Sequence, residues 1–128
     1  MKKKVIGEPI TLANGTQVPI SQAVVANGFL FIAGQLGVDK NFQLVGDDIG
    51  NQTRAALENL RKQLDAGGCS PADVVKVNAW LTDAGDFSLF NSVYATMFSS
   101  EPPVRSTVVS GLLIPGAKVE IEAIAVLP

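Results

Sequence analysis

An Asn-Gly pair set between two apolar runs constrains this chain more tightly than any other stretch. Residues 21–26 (Ser-Gln-Ala-Val-Val-Ala) and 29–33 (Phe-Leu-Phe-Ile-Ala) flank Asn27-Gly28. Both central residues of a type I′ turn need positive φ, which Asn and Gly tolerate best, so the spacing predicts a two-residue β-hairpin. Gly34 follows the second run directly. It reads either as a bulge or strand exit, or as a place where a ligand reaches bare backbone N–H groups.

The remaining elements follow from local signals. Lys3 to Ile6 form a short first strand, and 8–19 is turn-rich, with a tight reversal at Ala13-Asn14-Gly15. Residues 36–46 form a loop with Asp39 and Gly46 as turn residues. Asp47 or Asp48 caps a helix running to Ala66; two adjacent acids there are caps before they are metal ligands. Ile49, Thr53, Ala56, Leu57, Leu60 and Leu64 give it one apolar stripe, and Gly67-Gly68 stops it. Ser70-Pro71-Ala72-Asp73 has the form of a capped turn feeding a strand over 74–81. Asp83 or Asp86 caps a second helix packed through Phe87, Phe90, Tyr94, Met97 and Phe98, aromatics that read as core. Two β-rich runs close the chain, 104–109 after Pro102-Pro103 and 119–126 after Pro115-Gly116. The expectation is a single α+β domain over 1–128: about six strands in a mixed sheet, with two helices packed on one face.

Two helices leave the other sheet face uncovered, yet 29–33 and 74–81 are apolar at nearly every position, which implies burial on both faces. The simplest cover is another copy of the chain, so a homo-oligomer with ligand clefts between subunits is expected. Charges interrupt the last two strands. Arg105 leads into one, and Glu120 and Glu122 lie two apart, hence on one face, in the other. Either that face is wet or meets a partner, or these charges do chemistry.

Composition removes whole classes of mechanism. The chain has no histidine, so Ser-His-Asp and Cys-His mechanisms and histidine-ligated metals are excluded, and a general acid or base must come from elsewhere. A net charge of −2 and pI near 5.0 give no footprint for nucleic acid. No run approaches the ~18 apolar residues of a membrane span, and Lys2-Lys3-Lys4 is followed by no secretory h-region. One cysteine, Cys69, excludes an internal disulfide. These features point to a soluble cytoplasmic domain.

An ordered set of short motifs runs through almost the whole chain. It comprises Pro19-Ile20-Ser21-Gln22-Ala23-Val24, Ala33-Gly34-Gln35, Gln52-Thr53 with Leu57-Glu58-Asn59-Leu60, and Asp73-Val74-Val75-Lys76. It continues with Asp86-Phe87, Asn91 and Tyr94, then Pro103-Val104-Arg105-Ser106 and Val119-Glu120-Ile121-Glu122-Ala123-Ile124-Ala125. In this order the chain resembles the RidA/YjgF family of reactive-intermediate deaminases. The resemblance implies a chorismate-mutase-like fold, a homotrimer with active sites in the clefts between subunits, and hydrolysis of 2-imino and 2-enamino acids such as 2-aminoacrylate to 2-keto acids and ammonia. It implies that Arg105 and the Gly34 backbone N–H hold the substrate carboxylate, that Glu120 activates the water, and that Asn91 supports the cleft. No metal or organic cofactor is required.

The chain departs from the best-studied members at Ile20, where they have tyrosine, and at Ala33, where they have serine; Thr107 stands where cysteine is frequent. The resemblance then implies a drier pocket and a bulkier or more apolar substrate, with an aminomuconate-type deaminase also in the family. Two other readings remain: a non-catalytic binder of small carboxylates using Arg105, and an endoribonuclease or translation inhibitor, which the acidic pI and missing histidine disfavour.

Overall fold

The computed structural model describes residues 2–128. Six strands form one mixed sheet: β1 (Lys4–Ile6), β2 (Ala23–Ala26), β3 (Phe29–Leu36), β4 (Val74–Leu81), β5 (Val104–Val109) and β6 (Val119–Val126). Their spatial order is β1-β2-β3-β6-β4-β5, and only the β4–β5 pair is parallel. Helices α1 (Ile49–Ala66) and α2 (Phe87–Tyr94) complete the expected α+β domain. Among the described residues no helix is long and apolar enough to cross a membrane.

Asn27 and Gly28 adopt φ of 52° and 83°, as the hairpin requires, and set Ala26 opposite Phe29. The strand does not stop at Gly34. It runs on to Leu36 through a register shift between Ile32 and Gln35, so the glycine marks a bulge and not an exit. Asp48 caps α1, accepting a hydrogen bond from the Asn51 backbone N–H at 2.8 Å; that bond holds its carboxyl below the usual range. Asp83 caps a short 3₁₀ turn, Ala84–Asp86, that runs into α2.

Leu30, Leu60, Leu64, Val77, Phe90, Val119 and Ile121 are fully enclosed between the sheet and the helices. The aromatic stripe holds from Phe90 through Phe98, its last part lying past the end of α2 at Tyr94, with one correction. Phe87 is 44% exposed because it sits in the first turn, beyond the edge of the core, and Val93 is buried in its stead. The opposite sheet face is covered by neither helix and lies largely open: Phe31 is 43% and Val108 50% exposed. The apolar runs of β3 and β4 are therefore not buried on both faces within one chain.

Gln52, fully buried in the apolar stripe of α1, ties two distant loops together. Its Nε2 donates to the Gly46 and Gly116 carbonyls at 2.9 and 3.0 Å, and its Oε1 accepts from the Lys118 N–H at 2.8 Å. Gln52→Ala removes three hydrogen bonds, each worth about 1 kcal/mol, and should destabilise the fold by about 3 kcal/mol. A melting temperature lower by roughly 10 °C is the expected reading. Asn59 works similarly, donating to the Leu36 and Val38 carbonyls at 2.9 Å and so fixing the end of β3.

Candidate functional site

β3 outruns its partner. β2 pairs only with residues up to Ile32, and the Ala33 N–H donates to the Gln22 carbonyl at 2.8 Å; from Gly34 onward β3 has β6 on one side and no strand on the other. Beside that free edge lies a cavity of about 700 Å³, bounded by the 8–20 loop, α1, and the loops carrying Phe42 and Ile114. Glu120, Gly34, Ala33 and Ile20 all line it. Its lining is mostly apolar, and Gln35 lies in its wall, 6% exposed and donating to Gln22 Oε1 at 3.1 Å.

Glu120 alternates with the buried Val119 and Ile121, so its side chain leaves the core on the uncovered face. Gly34 makes room for it: a β-carbon at position 34 would sit 2.8 Å from the Glu120 carboxyl carbon. Burial pushes the Glu120 carboxyl up from its ordinary pKa, and the negative charge of Glu122 pushes it further. Glu122 is itself held by Asn78, whose Nδ2 donates to it at 3.0 Å. Trp80, the sole tryptophan, stands opposite Glu120 in the β4–β6 register.

Arg105 lies elsewhere. It is opposite the buried Val77 in the β4–β5 register and turns to the helix side. Its guanidinium rests against Tyr94, Phe90 and Phe87, with ring centres 4.5, 5.2 and 5.7 Å away, and its Nη2 donates to Asn91 Oδ1 at 2.7 Å. Among the described residues the one salt bridge is Arg61–Glu58, so Arg105 has no carboxylate counter-ion. A cation braced by π faces and one amide is oriented for an anion from outside. Burial raises the pKa of Tyr94, partly offset by the Arg105 charge; among the described residues its hydroxyl has no hydrogen-bond partner. Thr107 follows on the same face of β5, opposite Ala79. No group of three His, Cys, Asp or Glu among the described residues is placed to hold a metal ion.

The site residues expected from sequence therefore fall into two sets. Glu120, Gly34, Ala33 and Ile20 share the cavity; Arg105, Asn91 and Thr107 lie at the β5 edge, facing the other way. The aromatic support beneath Arg105 was visible as a helical spacing, but its use by a cation depends on the β4–β5 register.

The sequence model of the family described as Endoribonuclease L-PSP matches residues 12–127. The chain belongs to the RidA/YjgF family. It is 46% identical over 108 residues to a RutC family protein of Pyrococcus horikoshii, covering 84% of this chain and 86% of that one. With the 2-iminobutanoate/2-iminopropanoate deaminase of Bos taurus it shares 42% over 109 residues, 84% and 80% of the respective lengths. The crystal structure of E. coli TdcF with bound serine superimposes with a TM-score of 0.85 at 32% identity, covering 98% of this chain and 99% of that one. In this RidA/YjgF chain Arg105 and Glu120 occupy opposite faces of one sheet.

Proposed function

We propose that this protein hydrolyses 2-imino and 2-enamino acids to 2-keto acids and ammonia, at sites assembled between copies in a cytoplasmic homotrimer. The observation that carries the reading is Glu120, a carboxyl of raised proton affinity packed against a bare Gly34 backbone in an apolar cavity. A relative named as an imine deaminase and a neighbour crystallised with serine, a small amino carboxylate, support it.

Arg105 of one copy grips the substrate carboxylate through two parallel N–H···O bonds, and the Gly34 N–H of the next adds a third. An enamine first takes a proton from solvent at its β-carbon, and a neutral imine takes one at its nitrogen, to give the iminium. Ionised Glu120 then takes a proton from water as the oxygen bonds to the C=N carbon, and the C=N electron pair moves to nitrogen. The protonated Glu120 returns that proton to the amino group of the adduct. Ammonia leaves as the hydroxyl oxygen forms C=O, and the hydroxyl proton departs with it as ammonium. Imines hydrolyse readily, so one base (~10²–10⁴-fold) plus positioning is sufficient machinery.

The test is a coupled assay in which an amino-acid oxidase generates imines and the release of keto acid is followed. Acceleration over the protein-free rate is expected; no acceleration for any imine contradicts the reading. The base must be ionised, so the rate rises with pH through an acidic limb set above the ordinary glutamate range. Glu122→Gln removes the neighbouring negative charge and should move that limb to lower pH.

A further inference from the structure

The cavity continues well past Glu120. Its volume of about 700 Å³ lies in the range that takes ligands much larger than the smallest imino acids. From the Glu120 carboxyl the wall runs through Ala33 and Ile20 to Leu36, Phe42 and Ile114. Leu36 is 9% exposed, and Phe42 and Ile114 pack against it and Val38 in a small second core. Ile20, by contrast, is 53% exposed, an isoleucine left in water in the same cavity as Glu120. The cations lining the cavity, Lys40 and Lys62, are both solvent-exposed, so a ligand's second carboxylate has no enclosed partner here.

We infer that the site prefers 2-imino acids with branched or long apolar side chains, which lie along the Ile20–Leu36–Ile114 wall while the reacting carbon stays at Glu120. The inference rests on the deaminase reading of the same site. An apolar side chain displaces water from Ile20 and the wall behind it; a methyl group does not reach them.

Two measurements test this. In the coupled assay, imines are generated from leucine, alanine and glutamate. The kcat/KM for the leucine-derived imine should exceed that for the alanine-derived one by about 10-fold or more. Ile20→Thr should lower that ratio about 10-fold. Separately, quenching of Trp80 fluorescence, the only tryptophan signal, reports binding of the product analogues 4-methyl-2-oxopentanoate and pyruvate, and the branched acid should bind more tightly. Equal or reversed preference in either measurement, or a faster glutamate-derived imine, overturns the inference. Absence of all turnover together with preferential binding of the branched keto acid supports the inference while removing the catalytic reading.

Discussion

Glu120→Gln is expected to lower imine turnover by about 10²–10⁴-fold, the range lost with a general base. Shape and hydrogen-bonding reach are retained, but glutamine cannot accept the water proton. The variant separates catalysis from binding, since in the proposed site the carboxylate grip belongs to Arg105 and Gly34. Keto-acid affinity should therefore change little; a variant that loses both would be damaged and not merely inactive. Stability should move the other way. A carboxyl whose folded pKa is raised favours the fold while protonated, and that contribution is lost as pH rises from its ordinary value through the raised one. At neutral pH the ionised, half-buried Glu120 beside Glu122 is a liability, so Glu120→Gln should melt higher than wild type at pH 7 and show no such advantage near pH 4. A dead enzyme that is more stable than its parent would be the mark of a group retained for chemistry.

Arg105→Lys is expected to cost about 10²–10³-fold in kcat/KM, the equivalent of two charge-assisted hydrogen bonds. The charge is unchanged, so the loss isolates geometry. Lysine cannot present two parallel N–H groups to a carboxylate, nor spread its charge over the Tyr94, Phe90 and Phe87 rings. Asn91 holds the guanidinium plane at 2.7 Å. Loss of carboxylate affinity in parallel with rate distinguishes this variant from Glu120→Gln, where affinity survives. A lysine variant at wild-type rate would show that a point charge suffices and that the braced arginine is not the anchor.

Legibility in the sequence followed the range of the interactions. The hairpin is written in two residues, Asn27 and Gly28, whose turn chemistry is local. Helix α1 carries its own stripe, cap and stop from Asp48 to Gly67, so it too could be read directly. Gln52 could not: its partners lie up to 66 residues away, and nothing local distinguishes a buried glutamine that clamps two loops from a misplaced polar residue. Gly34 was ambiguous for a related reason, since exit or bulge is decided by whether β6 continues beside it. Arg105 and Glu120 were both visible as charges in apolar strands, but the face each occupies depends on how β5 and β6 register against β4. That register, and not composition, divides the candidate site into two sets.

Those two sets give the most direct test. Arg105→Ala and Glu120→Gln proteins are each purified, mixed in equal amounts, dissociated and reassembled, and assayed for imine hydrolysis. If each site takes its arginine from one copy and its carboxylate from the next, random assembly restores about a quarter of wild-type activity. Mixing without dissociation should restore none. Recovery near that fraction is the predicted result; a reassembled mixture as inactive as either parent, under conditions where reassembled wild type recovers fully, would contradict a site shared between copies.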